Sequence, residues 1–454
     1  MKAYCNRHIW QITYPILISL LMENMIGLTD TAFLGRVGEV ELGASALAGV
    51  YYMAIFMLGF GFSIGVQILI ARRNGEGRLR EIGPIFQQGL LFLLFFAAVM
   101  FFVSKSFTPL LLRRLIDSDA VYTAAISYLD WRIYGFFFSF AAVLFRAFYV
   151  GTTNTRILTA NSVVMVLTNV VLNYILIFGK LGLPALGITG AAIATFSSRV
   201  VEFVISLVYA LRCKQMPLMP ACILRPGKAT FRSFVKFSTP VLLNETLWGT
   251  GTSLYTVIMG HMAGSTDLIS AYTVAGNIDK MVTVAIFGVA AAAAVIVGKE
   301  VGMGGKNAYP IGQALTFVAF CTGFGVAIAE QLLFWLVLKP HVLPLFSMTA
   351  ASASLCVTMM ICYSISAPLH AFATTGIVGV LRGGGDVRIA MLIDVLPLWC
   401  FTLPLLVLLG LVLHAPIAIF CFIMATESAL KVPFGLHRIR SGKWIHDVTQ
   451  DLNA

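Results

Sequence analysis

Apolar runs of twenty or more residues recur along almost the whole length of this chain. Each is long enough, as a helix, to cross a hydrocarbon layer of roughly 30 Å. Inside that layer no water meets a bare peptide group, so each run must satisfy its own backbone hydrogen bonds. The sequence therefore predicts an all-α polytopic membrane protein. Composition agrees: 59% of residues are hydrophobic and 11% are charged, against about 25% charged in an ordinary soluble domain.

Twelve spans are expected, over approximately 9–35, 44–71, 84–104, 121–149, 157–179, 187–211, 232–260, 268–298, 310–338, 348–380, 388–412 and 415–437. Several are long enough to tilt or kink. The longest connection holds three prolines and divides the chain into an N-lobe (1–212), a cytoplasmic linker (213–230) and a C-lobe (231–454) ending in a short cytoplasmic tail. The formal charge of +11 is explained by basic residues held on the inner side of the membrane. With the N-terminus inside, only Arg36, Lys105, Arg113, Arg114, Lys180 and Lys339 fall in outer segments. Both termini are thus expected in the cytoplasm, and no basic block suits nucleic acid. The eight cysteines are scattered, without a CxxC pair or other metal-ligand spacing.

Two stretches echo one another. PILISLLMENMIGLTDTAFLGRVG opens at Pro15, and PVLLNETLWGTGTSLYTVIMGHMAG opens at Pro240. Pro15/Gly35 and Pro240/Gly260 keep one spacing, and Ala46 and Ala271 keep the same offset. The turns RAFYVGTTNTR (from Arg146) and RGGGDVR (from Arg382) follow the fourth and tenth spans. Each half is therefore expected to hold six helices, the two lobes related by a pseudo-two-fold along the membrane normal.

Acids inside spans are costly, and they mark function or pairing. Nine fall within or beside spans: Glu23, Asp30, Asp130, Glu202, Glu245, Asp279, Glu330, Asp394 and Glu427. Several have a basic neighbour: Asp130 near Arg132, Glu202 three positions from Arg199, Glu427 four from Lys431, Asp394 near Arg388. Asp30 lies near the outer end of the first span. Asn169 and Asn173, four apart on the fifth span, reach a similar depth. A carboxylate beside two amides makes a polar pocket that suits a proton, or a sodium ion through oxygen ligands. Glu245 on the seventh span and Lys280 on the eighth also come to similar depths, as a switchable pair or a permanent brace. The glycine clusters at 59–65 and 383–385 lack a preceding strand or a following GK[ST], which leaves close helix packing and a turn. No metal spacing and no Ser-His-Asp arrangement is legible.

At these residues the chain resembles the MATE (multidrug and toxic compound extrusion) family. "P…TDTAFLGRVG" with Pro15 and Asp30 resembles the family's first-helix motif. Asn169–Thr195 resembles its fifth- and sixth-helix motif, and VLRGGGDVR (Val380–Arg388) the turn after its tenth helix. The resemblance covers nearly the whole chain. It implies two six-helix lobes forming a V-shaped cleft, and export of amphipathic, cationic organic compounds in exchange for H+ or Na+, without enzymatic chemistry or a bound cofactor. Carried over, Asp30 is the coupling carboxylate, Asn169 its partner and Thr195 a further polar ligand. Asn173 stands where several members have Asp, and Glu245 resembles a seventh-helix glutamate of one branch. The tenth-helix Asp of that branch has no counterpart here. Substrate contacts are expected from Met22, Met25, Trp248 and Tyr255, with Glu23 and Glu245 attracting cations. The protein is expected in the inner membrane as a monomer, with lipids and small molecules as its partners. A lipid-linked saccharide flippase of the same superfamily is the alternative. It would present a basic cleft and often two further helices, which the acidic candidate residues and twelve spans disfavour.

Overall fold

The computed structural model describes residues 2–115, 118–212, 228–262, 265–342 and 349–446. Most of the 213–230 linker and the C-terminal tail lie outside the described residues. Twelve helices run through the rest: α1 (Lys2–Leu34), α2 (Glu39–Gly75), α3 (Leu79–Leu115), α4 (Asp119–Gly151), α5 (Arg156–Phe178), α6 (Gly187–Arg212), α7 (Lys228–Gly260), α8 (Ser265–Gly302), α9 (308–342), α10 (Ala350–Leu381), α11 (Val387–Val412) and α12 (Ile417–Arg440). There is no β-strand among the described residues, as an apolar environment requires of open backbone. Eleven of the twelve are long and apolar enough to cross a membrane. The other is α7, whose Lys236, Asn244, Glu245 and many Ser and Thr dilute its apolar character. It occupies the seventh span expected from sequence.

The chain divides into two compact units. The N-unit runs from Ile18 to Leu242. The C-unit runs from Leu243 to Val448 and includes α1 through Leu17. Both helices that change unit, α1 and α7, do so two residues beyond a proline: Pro15 inside α1 and Pro240 inside α7. Proline brings no N–H, so the carbonyls of Gln11 and Lys236 lose their ordinary helical donor there. Both helices are locally weakened at the point of changeover.

Within the N-unit, α4 is the central helix, packed against α2, α3 and α6. Its core is aromatic: Tyr52 stacks on Phe136 at 5.1 Å, and Phe136 on Phe140 at 5.8 Å. Glycine makes close approach possible. A Cβ on Gly65 would collide with Ser238, whose hydroxyl donates to the Phe62 carbonyl at 3.3 Å. Gly59, Gly61 and Gly65 of α2 are therefore packing residues, as their apolar setting suggests.

The C-unit departs from regular α-helix. Phe334–Val342, Thr375–Leu381, Leu398–Thr402 and Leu408–Val412 are wound as π-helix. Pro340 lies inside the first, and Pro404 cannot donate to the carbonyl of Cys400 in the third. After α10, Gly385 takes a left-handed φ of 99°, which turns the chain into α11. The RGGGDVR segment is thus a turn, and the buried Trp444 side chain lies against Gly384.

Candidate functional site

Asp30 sits fifteen positions after Pro15 on α1, in the N-unit, and is 6% exposed. The four-residue spacing of Asn169 and Asn173 puts both on one face of α5, fully buried. Thr195 comes from α6, which packs along α5. The side chains close into a cluster. Asn173 Nδ2 donates to Asp30 Oδ1 at 2.7 Å and to Asn169 Oδ1 at 3.1 Å. Thr195 Oγ1 donates to Asp30 Oδ2 at 2.9 Å, and Asn169 Nδ2 donates to Thr195 Oγ1 at 3.3 Å. The pocket drawn from sequence for Asp30, Asn169 and Asn173 is therefore present, and Thr195 belongs to it.

Every donor to Asp30 is neutral. Arg132 on α4 acts on it through space but makes no salt bridge with it. The Arg132 guanidinium lies over the Tyr52 ring at 4.2 Å and donates to the Tyr128 hydroxyl at 3.2 Å. Two neutral hydrogen bonds are a poor exchange for water around an ionised carboxylate, whose burial costs several kcal/mol unless a charge meets it. One oxygen is also idle: Asn173 Oδ1 is buried and receives no donor. A carboxylate, two amide oxygens and a hydroxyl thus converge on a small volume. The set suits a proton held on Asp30 or a monovalent cation that prefers oxygen.

The C-unit meets its acids differently. Glu245 on α7 accepts from Arg382 Nη1 at 2.8 Å. Arg382 Nη2 lies 3.9 Å from Asp394, which accepts from Lys431 at 2.7 Å and from Asn244 at 2.8 Å. Lys431 reaches Glu427 at 2.6 Å, and Glu427 accepts from the Tyr255 hydroxyl at 2.7 Å. Three acids and two bases from α7, α11, α12 and the residue that follows α10 form one continuous ion-pair chain.

This arrangement corrects the expected Glu245–Lys280 pair. Equal depth fixes height but not rotation about the helix axis; Arg382 takes Glu245, and Lys280 is exposed. Tyr255 is likewise not an open contact surface, being 4% exposed and committed to Glu427. Glu23 is held by both its oxygens to Arg146 at 2.9 Å, which neutralises the charge expected to attract cations. Met22, Met25 and Trp248 are half-buried. Arg199–Glu202 at 2.8 Å follows its sequence spacing. Asp130 pairs with Lys105 at 2.6 Å rather than with Arg132, which occupies the aromatic site above. Sequence reasoning missed Arg382 and Asn244 as partners, and Lys431 as the partner of Asp394. Only the i, i+4 spacing of Glu427 and Lys431 signalled any of that network.

Two helical units built of membrane-spanning segments, with an uncompensated carboxylate buried in the first, define a polytopic membrane transporter. The profile of the MatE family matches the chain twice, over 15–175 and 240–408, and so opens at Pro15 and again at Pro240. The chain belongs to this family, the MATE transporters. Among its relatives, the "Probable multidrug resistance protein NorM" of Idiomarina loihiensis is 27% identical over 411 residues, covering 88% of this chain and 86% of its own. The NorM of Mannheimia succiniciproducens is 23% identical over 400 residues, covering 87% and 84%. A crystal structure of a MATE protein in complex with MaL6 superimposes with a TM-score of 0.85 over 96% of each chain. Its identity of 18% makes that a likeness of fold.

Proposed function

We propose that this protein is a secondary antiporter that exports amphipathic, cationic organic compounds in exchange for protons, with sodium as the other ion its oxygen set would accept. The observation that carries the reading is Asp30, buried among neutral donors with no salt-bridge partner. The multidrug resistance names of its NorM relatives supply the substrate class. Protonation of Asp30 from outside removes the cost of the buried charge, and the hydrogen bonds from Asn173 and Thr195 then re-form around a neutral group. That shift moves the outer part of α1, and Pro15 is the weakened point about which it bends. Substrate leaves outward, and loss of the proton to the inside resets the protein. Tyr128 and Arg132 are the titratable and charged groups that act alongside Asp30.

The same reading takes the protein as a monomer of the inner membrane; the distribution of basic residues supports both termini in the cytoplasm. Purified protein in proteoliposomes tests the function: dye efflux is followed under a proton gradient alone and under a sodium gradient alone. Efflux driven by protons only is the expected result. Efflux driven by sodium only makes Asp30, Asn169, Asn173 and Thr195 a sodium site, and efflux under neither gradient removes the antiport reading.

A further inference from the structure

Away from the ion-pair chain, the C-unit holds an acid that pairs with no cation among the described residues. Glu330 on α9 is fully buried. It makes no salt bridge, and its Oε1 has no hydrogen-bond partner. Its one hydrogen-bond partner among the described residues is Ser364 on α10, 2.9 Å from Oε2. Ser364 also receives a hydrogen bond from Gln331 Nε2 at 2.8 Å and lies 3.0 Å from the Met360 carbonyl. A serine hydroxyl has one proton. If it serves Met360, an ionised Glu330 has no donor at all. If Glu330 is itself protonated, its Oε2–H donates to Ser364 Oγ, Ser364 donates to Met360, and each hydroxyl is satisfied.

The charged group acting on Glu330 is a second acid, Asp279 on α8. The two helices pack against each other and are joined by the short turn 303–307, so they run antiparallel. Asp279 lies about 34 Å of helix from that turn and Glu330 about 33 Å, at 1.5 Å per residue. The acids therefore stand at one level. Lys280 acts on Asp279 without a salt bridge, and Tyr272 and Tyr363 are the other titratable groups that feel these acids. Asp279 is half-buried and Glu330 fully buried, and two like charges that act on one another do not both ionise readily.

We infer that Glu330 and Asp279 form a second proton-binding site, in the C-unit, which exchanges a proton during transport together with the Asp30 site. The inference rests on the proton-antiport reading and adds a stoichiometry to it. A proton from the outer solution binds Glu330 Oε2, faced by Ser364. It leaves to the inside when the substrate-loaded state favours the ionised pair. Gln331 is a positioning residue, since it fixes Ser364 without touching the acid.

The test is proton release when tetraphenylphosphonium binds the purified protein in weakly buffered detergent, read with a pH indicator. By linkage, release counts the protons displaced by the cation. Wild type is expected to release about two protons per cation bound, and Glu330→Gln about one, a halving. Glu330→Gln keeps the shape of the acid and removes the buried charge, so retention of tetraphenylphosphonium binding checks its fold. If that variant does not fold, Asp30→Asn answers the question: release of about one proton supports the C-unit site, and release of none overturns it. Equal release by wild type and Glu330→Gln overturns the second site alone. No release by wild type overturns the antiport reading and the second site with it.

Discussion

Each repeated stretch changes unit two residues beyond its proline, and the acids nearest the two repeats are treated in opposite ways. In the N-unit, Asp30 meets Asn173 and Thr195, with Asn169 behind them and no salt-bridge partner. In the C-unit, Glu245, Asp394 and Glu427 are threaded between Arg382 and Lys431. The first arrangement is expensive when charged and cheap when protonated, so its occupancy follows the ion supply. The second holds its charges through mutual attraction and extra donors, Asn244 and Tyr255, and has little reason to change state. A buried carboxylate is thus a switch or a brace according to its partners, not its depth. An N-unit that exchanges an ion and a C-unit network that braces four helices is the division of labour this implies.

The comparison breaks most severely where a brace loses one partner. Arg382→Ala leaves Glu245 without its cation, and the expected loss is about 3–5 kcal/mol, seen as a lowered melting temperature in detergent. Asp30→Asn should do the reverse: thermal stability at or above wild type, with ion-driven efflux lost. Thr195→Val removes a hydrogen bond to the carboxylate, worth about 1.5–3 kcal/mol. That bond favours the ionised carboxylate, so its loss should strengthen the proton's hold by roughly tenfold, seen as a shift in efflux titrated against proton concentration, without unfolding the protein. Glu23→Gln frees the partly exposed Arg146 from a pair whose members are 26% and 16% exposed; a cost of about 1 kcal/mol or less is expected, in chemical or thermal unfolding. Lys280→Ala should change stability by less than about 0.5 kcal/mol, because this lysine is exposed and makes no ion pair.

Much of this was legible in the sequence. Hydropathy gave the helices because lipid permits no other open backbone. The four-residue step from Asn169 to Asn173 is intrahelical, so helical geometry alone sets both on one face. The N-unit cluster followed, since its members come from helices whose depth the sequence limits. Depth did not suffice for Glu245, whose partner Arg382 lies 137 positions away, nor for Glu23 and Arg146, 123 apart. Those contacts depend on rotation about each helix axis, which packing decides. The π-wound stretches of the C-unit were also hidden. Proline marks some of them, but Thr375–Leu381 contains none. Glu330 looked like any other acid in a span until its burial and its idle oxygen were visible.

The most direct test of the central claim sets one variant of each unit against the other in proteoliposomes under the same proton gradient. Asp30→Asn removes the uncompensated carboxylate, while Glu245→Gln with Arg382→Met neutralises one link of the C-unit chain and leaves no buried charge unpaired there. Uphill dye efflux is expected to vanish in the first and to persist in the second. Efflux that survives Asp30→Asn and is lost in the Glu245/Arg382 double variant would contradict the account.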